Sequence, residues 1–254
     1  MKTAKILRFW SVSRRKHAKR MLGRVILAAG LPVLLASCQS TGDISDPISR
    51  RSAWFDFISG GDIRAACQAG SQPAYRAVYN ANREEQVRIY DLTETADGGV
   101  LRVRALTGKV RMDGRSLNED FFRSFQPEDV STQLTPQNVA LIREAMQADG
   151  VFDTPPEEQT LLSEWHFWVL SGCLNGQFWF DVRVDPTPPL ESLKFPEALR
   201  AVDFATAPYP APPPEKRRER YEIRTTEDFR FEHYELEVHA DRISKGYVYG
   251  IQRP

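Results

Sequence analysis

His166-Phe167-Trp168-Val169-Leu170-Ser171-Gly172-Cys173-Leu174-Asn175-Gly176-Gln177-Phe178-Trp179-Phe180-Asp181-Val182-Arg183-Val184 is the stretch on which the fold turns. Asn-Gly at its centre is the strongest short signal for a two-residue hairpin turn, because both residues tolerate positive φ. Such a turn sets Leu174 opposite Gln177, Cys173 opposite Phe178, Ser171 opposite Phe180, Val169 opposite Val182 and Phe167 opposite Val184. Side chains alternate along a strand. The register therefore gathers Phe167, Val169, Cys173, Phe178, Phe180, Val182 and Val184 on one face, the expected core face. His166, Trp168, Trp179, Asp181 and Arg183 fall on the other. There Trp168, Trp179 and Arg183 make a candidate aromatic platform for a partner or a glycan, unless a helix or loop covers them. His166 opposite Asp185 offers an oriented general base, but no nucleophile accompanies it.

Upstream, three more strands are expected. Tyr75–Asn80 and Gln86–Thr93 are rich in Tyr, Val and Ile, and Gly98-Gly99 reads as a turn into Val100–Leu106. In the last of these Leu101, Val103 and Ala105 alternate with Arg102 and Arg104. With Lys109, Arg111 and Arg115 the arginines could bind an anion. The plainer reading is a solvated sheet face balanced by Glu84, Glu85, Asp91 and Glu94. Between these strands and the hairpin lies the best helix. Thr135 caps it, Pro136 suits its first position and Gly150 ends it, with Val139, Ile142, Ala145 and Met146 on one stripe. A shorter helix is expected over Ile63–Gln68, capped by Asp62, and another over Phe195–Phe204, covering one side of the sheet.

Beyond the hairpin, Ala207–Pro214 reads as a stiff polyproline-like spacer, and Lys216-Arg217-Arg218-Glu219-Arg220 follows it. The last segment alternates Tyr234, Leu236, Val238 and Ala240 with His233, Glu235, Glu237, His239 and Asp241, then reaches a final strand at Tyr247–Gln252. Two histidines six residues apart on a strand are roughly 20 Å apart, too far for one zinc. Glu237, His239 and Asp241 remain a conceivable metal set, against a solvated strand face as the default. The expected fold is α+β: an antiparallel sheet with one or two packed helices, plus a C-terminal hairpin-like segment after the Pro-rich spacer.

The chain has 254 residues, with 34 basic and 34 acidic side chains. That balance excludes a strongly basic nucleic-acid binder. It conceals an asymmetry. Residues 1–37 hold nine basic residues and no acidic one, so residues 38–254 carry 34 − 9 = 25 basic against 34 acidic, a net of −9. After the basic run comes an uncharged, mostly apolar stretch, Val25–Ser37, then Cys38. This stretch is too short to span a bilayer as a helix, which takes about 20 residues, but suits a signal peptide.

Leu35-Ala36-Ser37-Cys38 resembles the lipobox of bacterial lipoproteins. The resemblance implies cleavage before Cys38, a diacylglyceryl thioether on its sulfur and an acylated new amine. One acyl chain binds a membrane reversibly and two or more hold firmly. Gln39, where Asp would favour inner-membrane retention, implies the outer membrane, facing the periplasm. Ser13-Arg14-Arg15-Lys16 resembles part of a twin-arginine export motif without the apolar residues that normally follow. Met21 is an alternative start.

On this reading the chain divides into a signal peptide (1–37), a lipid tether (38–52), a soluble domain (53–206), a Pro-rich linker (207–216) and a C-terminal β segment (217–254). Order is expected to begin near Trp54. Export would place Cys67 and Cys173 in an oxidising compartment, where an even pair forms a disulfide; two buried thiols are the alternative. The bond would close a loop worth on the order of 4 kcal/mol in the chain-entropy model.

The helix at 135–149, the stretch Phe152-Asp153-Thr154-Pro155 and the aromatic hairpin together resemble a small α+β module of bacterial envelope proteins, including protease-inhibitor domains of the emfourin type. No catalytic or phosphate-binding motif is present, so no catalytic residue, metal or cofactor is assigned. The expectation is a lipid-anchored envelope protein, attached through Cys38, with a non-enzymatic binding or structural role toward an envelope protein partner and no nucleic acid. A periplasmic protease inhibitor or regulator is one alternative, and an enzyme without a recognisable motif is another.

Overall fold

A computed structural model describes residues 47–81, 85–107, 127–153, 155–163, 165–185, 189–210 and 233–249. Cys38 and its leader, Glu84, Lys109, Arg111, Arg115, the basic run 216–220 and the later part of the Pro-rich spacer lie outside the described residues.

The hairpin forms in the expected register. β6 (His166–Leu174) and β7 (Gln177–Val184) pair from Leu174↔Gln177 to Phe167↔Val184. Asn175 and Gly176 turn at φ 54° and 74°, the left-handed values that a two-residue turn matching the strand twist requires. The hairpin joins a six-stranded antiparallel sheet in the order β4-β3-β2-β1-β6-β7. The other members are β1 (Ala74–Ala81), β2 (Gln86–Thr95), β3 (Gly98–Thr107) and β4 (Glu128–Leu134). A second sheet orders β5 (Gln159–Leu162), β8 (His233–His239) and β9 (Arg242–Tyr249) as β5-β8-β9. Four helices complete the described fold: α1 (Pro47–Ile58), α2 (Gly61–Gln68), α3 (Pro136–Ala148) and α4 (Phe195–Arg200). It is the expected α+β class.

The expectation of a single core face was too narrow, because both faces of the large sheet are interior. Tyr75, Tyr79, Tyr90, Leu92, Leu101, Val103, Trp168 and Leu170 pack with α3, α4 and Val151. Val78, Val87, Ile89, Phe167, Val169, Phe180 and Val182 pack on the opposite side with α1, β5, β8 and β9. A strand buried on both sides reads as a near-continuous apolar run, which is what Phe167–Leu170 is. α3 behaves as its sequence demands. Thr135 Oγ1 accepts from the Asn138 amide at 3.2 Å, Val139, Ile142 and Met146 are buried, and Gly150 leaves the helix at φ 68°.

Several boundaries move. Helix begins at Pro47 rather than near Trp54. The N-cap of α2 is Gly60, with Asp62 inside the first turn; its carboxylate holds Arg76 as well as facing the first-turn amides. The β2–β3 turn is Ala96-Asp97, and Gly98 already lies in β3, where a Cβ would overlap the Leu134 carbonyl of β4. α4 stops at Arg200. β9 starts at Arg242, five residues earlier than expected, because Ala240-Asp241 makes the turn. The strands of the expected C-terminal β segment join the second sheet, where β8 pairs with β5.

The spacer also differs from expectation at its start. Pro208 O accepts from Gln86 Nε2 at 3.1 Å and Ala207 O from Arg88 Nη1 at 3.0 Å. Glu128 accepts from the Thr206 and Ala207 amides at 2.5 and 2.7 Å. The Tyr209 ring lies nearly parallel to Tyr79 at 5.4 Å. The first residues of the proline-rich run are thus a strap over the sheet. Among the described residues no helix is long and apolar enough to cross a membrane.

Candidate binding groove at the open edge of the sheet

β7 is an edge strand, and its hydrogen-bonding parity can be worked out. A two-residue turn is closed by a hydrogen-bonded pair, here Leu174 with Gln177. Alternation makes Gly172–Trp179, Leu170–Asp181 and Trp168–Arg183 bonded pairs too. One step further on, the Asp185 amide donates to His166 O at 3.5 Å, in the same parity. The amides and carbonyls of Phe178, Phe180 and Val182 therefore point away from the sheet. Val182 confirms the direction, since its amide donates to the carboxylate of its own neighbour, Asp181, at 2.8 Å. Among the described residues none bonds the outward backbone groups of Phe178 or Phe180.

A groove of about 330 Å³ lies along this stretch, lined by Phe178, Trp179 and Phe180. One wall is the segment after α3, with Phe152, Asp153 and Pro155. The other is the β8–β9 turn, Ala240 and Asp241.

Trp179, Phe178 and Asp241 are each packed or paired from behind, although the buried Trp179 Nε1 has no hydrogen-bond partner among the described residues. Trp179 lies flat over Gly172, where any Cβ would overlap its indole, and Phe152 meets it edge-on at 4.9 Å. Phe178 rests on the Cys67–Cys173 disulfide and Ile63. The two Cα atoms of the bridge are 5.5 Å apart, an ordinary spacing. Arg64 lies 4.3 Å above the Phe178 ring and donates to Asp241 at 2.6 Å. That ion pair fixes the β8–β9 turn against α2, and the Arg64 hydrogen bond, with its charge, holds the Asp241 carboxyl below its ordinary range.

The expected platform is redistributed by this geometry. Trp179 lines the groove. Trp168 does not: only 1% exposed, it stacks on Tyr79 at 4.7 Å and meets Phe195 edge-on at 5.1 Å. The helix-side core covers it, as the plainer reading allowed. Arg183 is engaged structurally. It donates to Asp181 Oδ2 at 2.7 Å and to Gly150 O at 3.0 Å, tying the segment after α3 to the sheet. Burial pushes the Asp181 carboxyl above its ordinary range, against the charge and hydrogen bond of Arg183.

The other chemistry-bearing residues stand apart from the groove. Arg104 is buried, not solvated. It and Arg76 share the Asp91 carboxylate, and both guanidinium groups lie over the Phe57 ring, at 5.0 and 3.6 Å. Arg102 pairs with Asp129 across the β3–β4 ladder, so the two arginines offer no joint anion site. His166 is buried beside Tyr79, with ring centroids 6.3 Å apart. His239 Nε2 contacts Ser244 Oγ at 2.9 Å, and Asp241 is bound to Arg64. Among the described residues no three His, Cys, Asp or Glu stand close enough together to hold a metal.

Sequence reasoning reached Trp179 and the disulfide but missed Phe152, Asp153 and Asp241 as groove residues. Their local signals are those of packing and turns, and they meet only because α3 and the β8–β9 turn close on the same edge. No protein-family model, no curated protein and no solved structure matches the chain.

Proposed function

We propose that this chain is a lipid-anchored cell-envelope protein, attached through acyl chains on Cys38, that binds another envelope component without catalysing a reaction. The observation that carries the binding role is the groove along β7. It combines outward backbone groups with aromatic walls, whereas buried charges elsewhere in the described fold are answered by internal partners. Ligand sites are concave, largely apolar and supplied with a few polar groups, and this groove has that character.

The lipid reading rests on Leu35–Cys38 and on the basic, then apolar, leader before it. Residues 39–46 separate Cys38 from α1. Eight residues reach at most about 28 Å when fully extended, so the domain would work close to a membrane surface. The outer membrane, facing the periplasm, is the location that Gln39 favours.

Cys38→Ala tests the anchor. It should release the protein from the membrane fraction and abolish acyl labelling; unchanged fractionation removes the anchor from the proposal. A photo-crosslinking residue at exposed Asp153 tests the role in intact cells. Capture of a wall or outer-membrane assembly protein supports the binding role, and capture of a protease supports the inhibitor reading instead.

A further inference from the structure

We propose that the open half of the β7 edge takes up an extended peptide of a partner protein as an added strand, with apolar side chains against Phe178 and Phe180 and a lysine or arginine against Asp153. This deepens the binding role proposed above and rests on it.

The backbone argues for a strand. Phe178 and Phe180 each direct an amide and a carbonyl outward, at half-buried Phe178 toward the open groove and at Phe180, only 5% exposed, at its floor; an incoming chain that reaches both can form up to four hydrogen bonds. Exposed strand edges are templates for such pairing, and main-chain bonds plus pockets for alternate side chains are how strand addition achieves affinity and specificity. The site is also bounded. Asp181 occupies the Val182 amide, and Arg183 draws the segment after α3 toward the sheet. Pairing beyond Phe180 is thereby closed, and the added strand is short.

The walls argue for its side chains. Successive residues of an added strand point to opposite faces of the sheet. On one face they would meet half-buried Phe178 and Ala240, with the edge of buried Phe180 at the floor between them. On the other they would meet Trp179, Phe152 and Asp153. The Asp153 carboxylate is exposed and accepts from Gln147 Nε2 at 3.2 Å, and among the described residues no cation pairs with it. Asp241, across the groove, is already neutralised by Arg64. A long basic side chain can lay its stem along Trp179 and present its charge to Asp153. The same charge disfavours a second copy of this chain, which would set Asp153 near Asp153. Residues 38–254 carry 34 acidic and 25 basic side chains, which adds general repulsion between copies.

The test uses the full chain in mild detergent and a blocked pentapeptide alternating valine with lysine. Titration should shift the amide resonances of Phe178 and Phe180, and labelled peptide should gain anisotropy. N-methylation of the two peptide amides that face β7 should weaken binding about tenfold or more, the loss expected for two hydrogen bonds. Asp153→Asn should weaken it by up to about fivefold, the range of an exposed ion pair. Equal binding of the N-methylated peptide overturns strand addition, and equal binding of an alternating valine–glutamate peptide overturns the charge assignment. A dimer that loses the Phe178 and Phe180 shifts on dilution overturns the choice of occupant. If the valine–lysine peptide fails while crosslinking from Asp153 still captures an envelope protein, this inference falls and the binding role stands. If neither occurs, both fall.

Discussion

β1 has two faces, and both are interior, yet they are built differently. Tyr75, Ala77, Tyr79 and Ala81 face α3, α4 and the strap at 203–209, where stacked rings fill the space. Arg76, Val78 and Asn80 face α1, α2 and the small sheet, and there Arg76 and Asn80 find polar partners, while Ser171 Oγ and Arg104 Nε have none among the described residues. Arg76 reaches Asp91, Asp62 and the Phe57 carbonyl, and Asn80 reaches the Ser163 and Trp165 carbonyls. Burial alone would raise the Asp62 carboxyl, but the hydrogen bond and charge of Arg76 outweigh it and hold the group below its ordinary range. The difference teaches that polar–apolar alternation in a strand need not mark the boundary with water. Here it separates two interiors, one in which stacked rings enclose the buried Arg88–Asp203 pair and one centred on Arg76, Arg104 and their shared Asp91.

The sharpest way to break the contrast is to empty the first face. Trp168→Ala should cost about 4 kcal/mol, as large aromatic truncations in a core do, and lower the melting temperature by roughly 10 °C for a body of this size. On the other face Arg76→Met keeps much of the volume but removes the charge. It should cost about 3 kcal/mol, because Asp91 and Asp62 lose a buried partner. A Met variant as stable as the parent would show that packing, not charge matching, holds that face as well.

A smaller effect concerns two acids on the ring-packed face. Burial raises the Asp203 carboxyl, but hydrogen bonds from Arg88 and Tyr90 prevail and hold it below its ordinary value. Its stabilisation is therefore present above the unfolded value near 3.8 and is lost as pH falls through the native one. Asp203→Asn should cost about 2 kcal/mol at neutral pH, in the range of charge-assisted bonds, with the gap to the parent closing in acid. Asp181 has the opposite sign. Its raised carboxyl opposes folding at neutral pH, and that penalty lifts as pH falls through its native value. Asp181→Asn should change neutral stability by under about 1 kcal/mol, and the parent should gain on this variant in acid. Denaturant midpoints between pH 7 and 3 check both.

How far these features were legible depends on how local their causes are. The turn at Asn175-Gly176, the cap at Thr135, the register of the hairpin and the end at Gly150 follow from neighbouring residues, and the sequence carries them plainly. β4 and β5 went unread. Glu128–Leu134 is an edge strand alternating half-buried and exposed polar residues, and Gln159–Leu162 is only four residues long. The burial of Arg104 was hidden because nothing near it announces that Phe57, from α1, will cover it. The groove was hidden for a similar reason. Trp179 is conspicuous in the chain, but its being at an edge depends on β6 pairing with β1, about 90 residues earlier.

The Cys67–Cys173 bridge has a mechanical consequence. A pull applied between the two ends of the described fold travels along the shortest covalent path, from α1 and α2 across the disulfide into β6. The chain between the two cysteines, separated by 106 positions, includes β1 to β5 and α3 and lies off that path. Stretched out, it would measure on the order of 370 Å. While the bridge is intact this slack is locked away, and tension applied at the start of α1 is delivered to the floor of the β7 groove instead of paying out through the sheet.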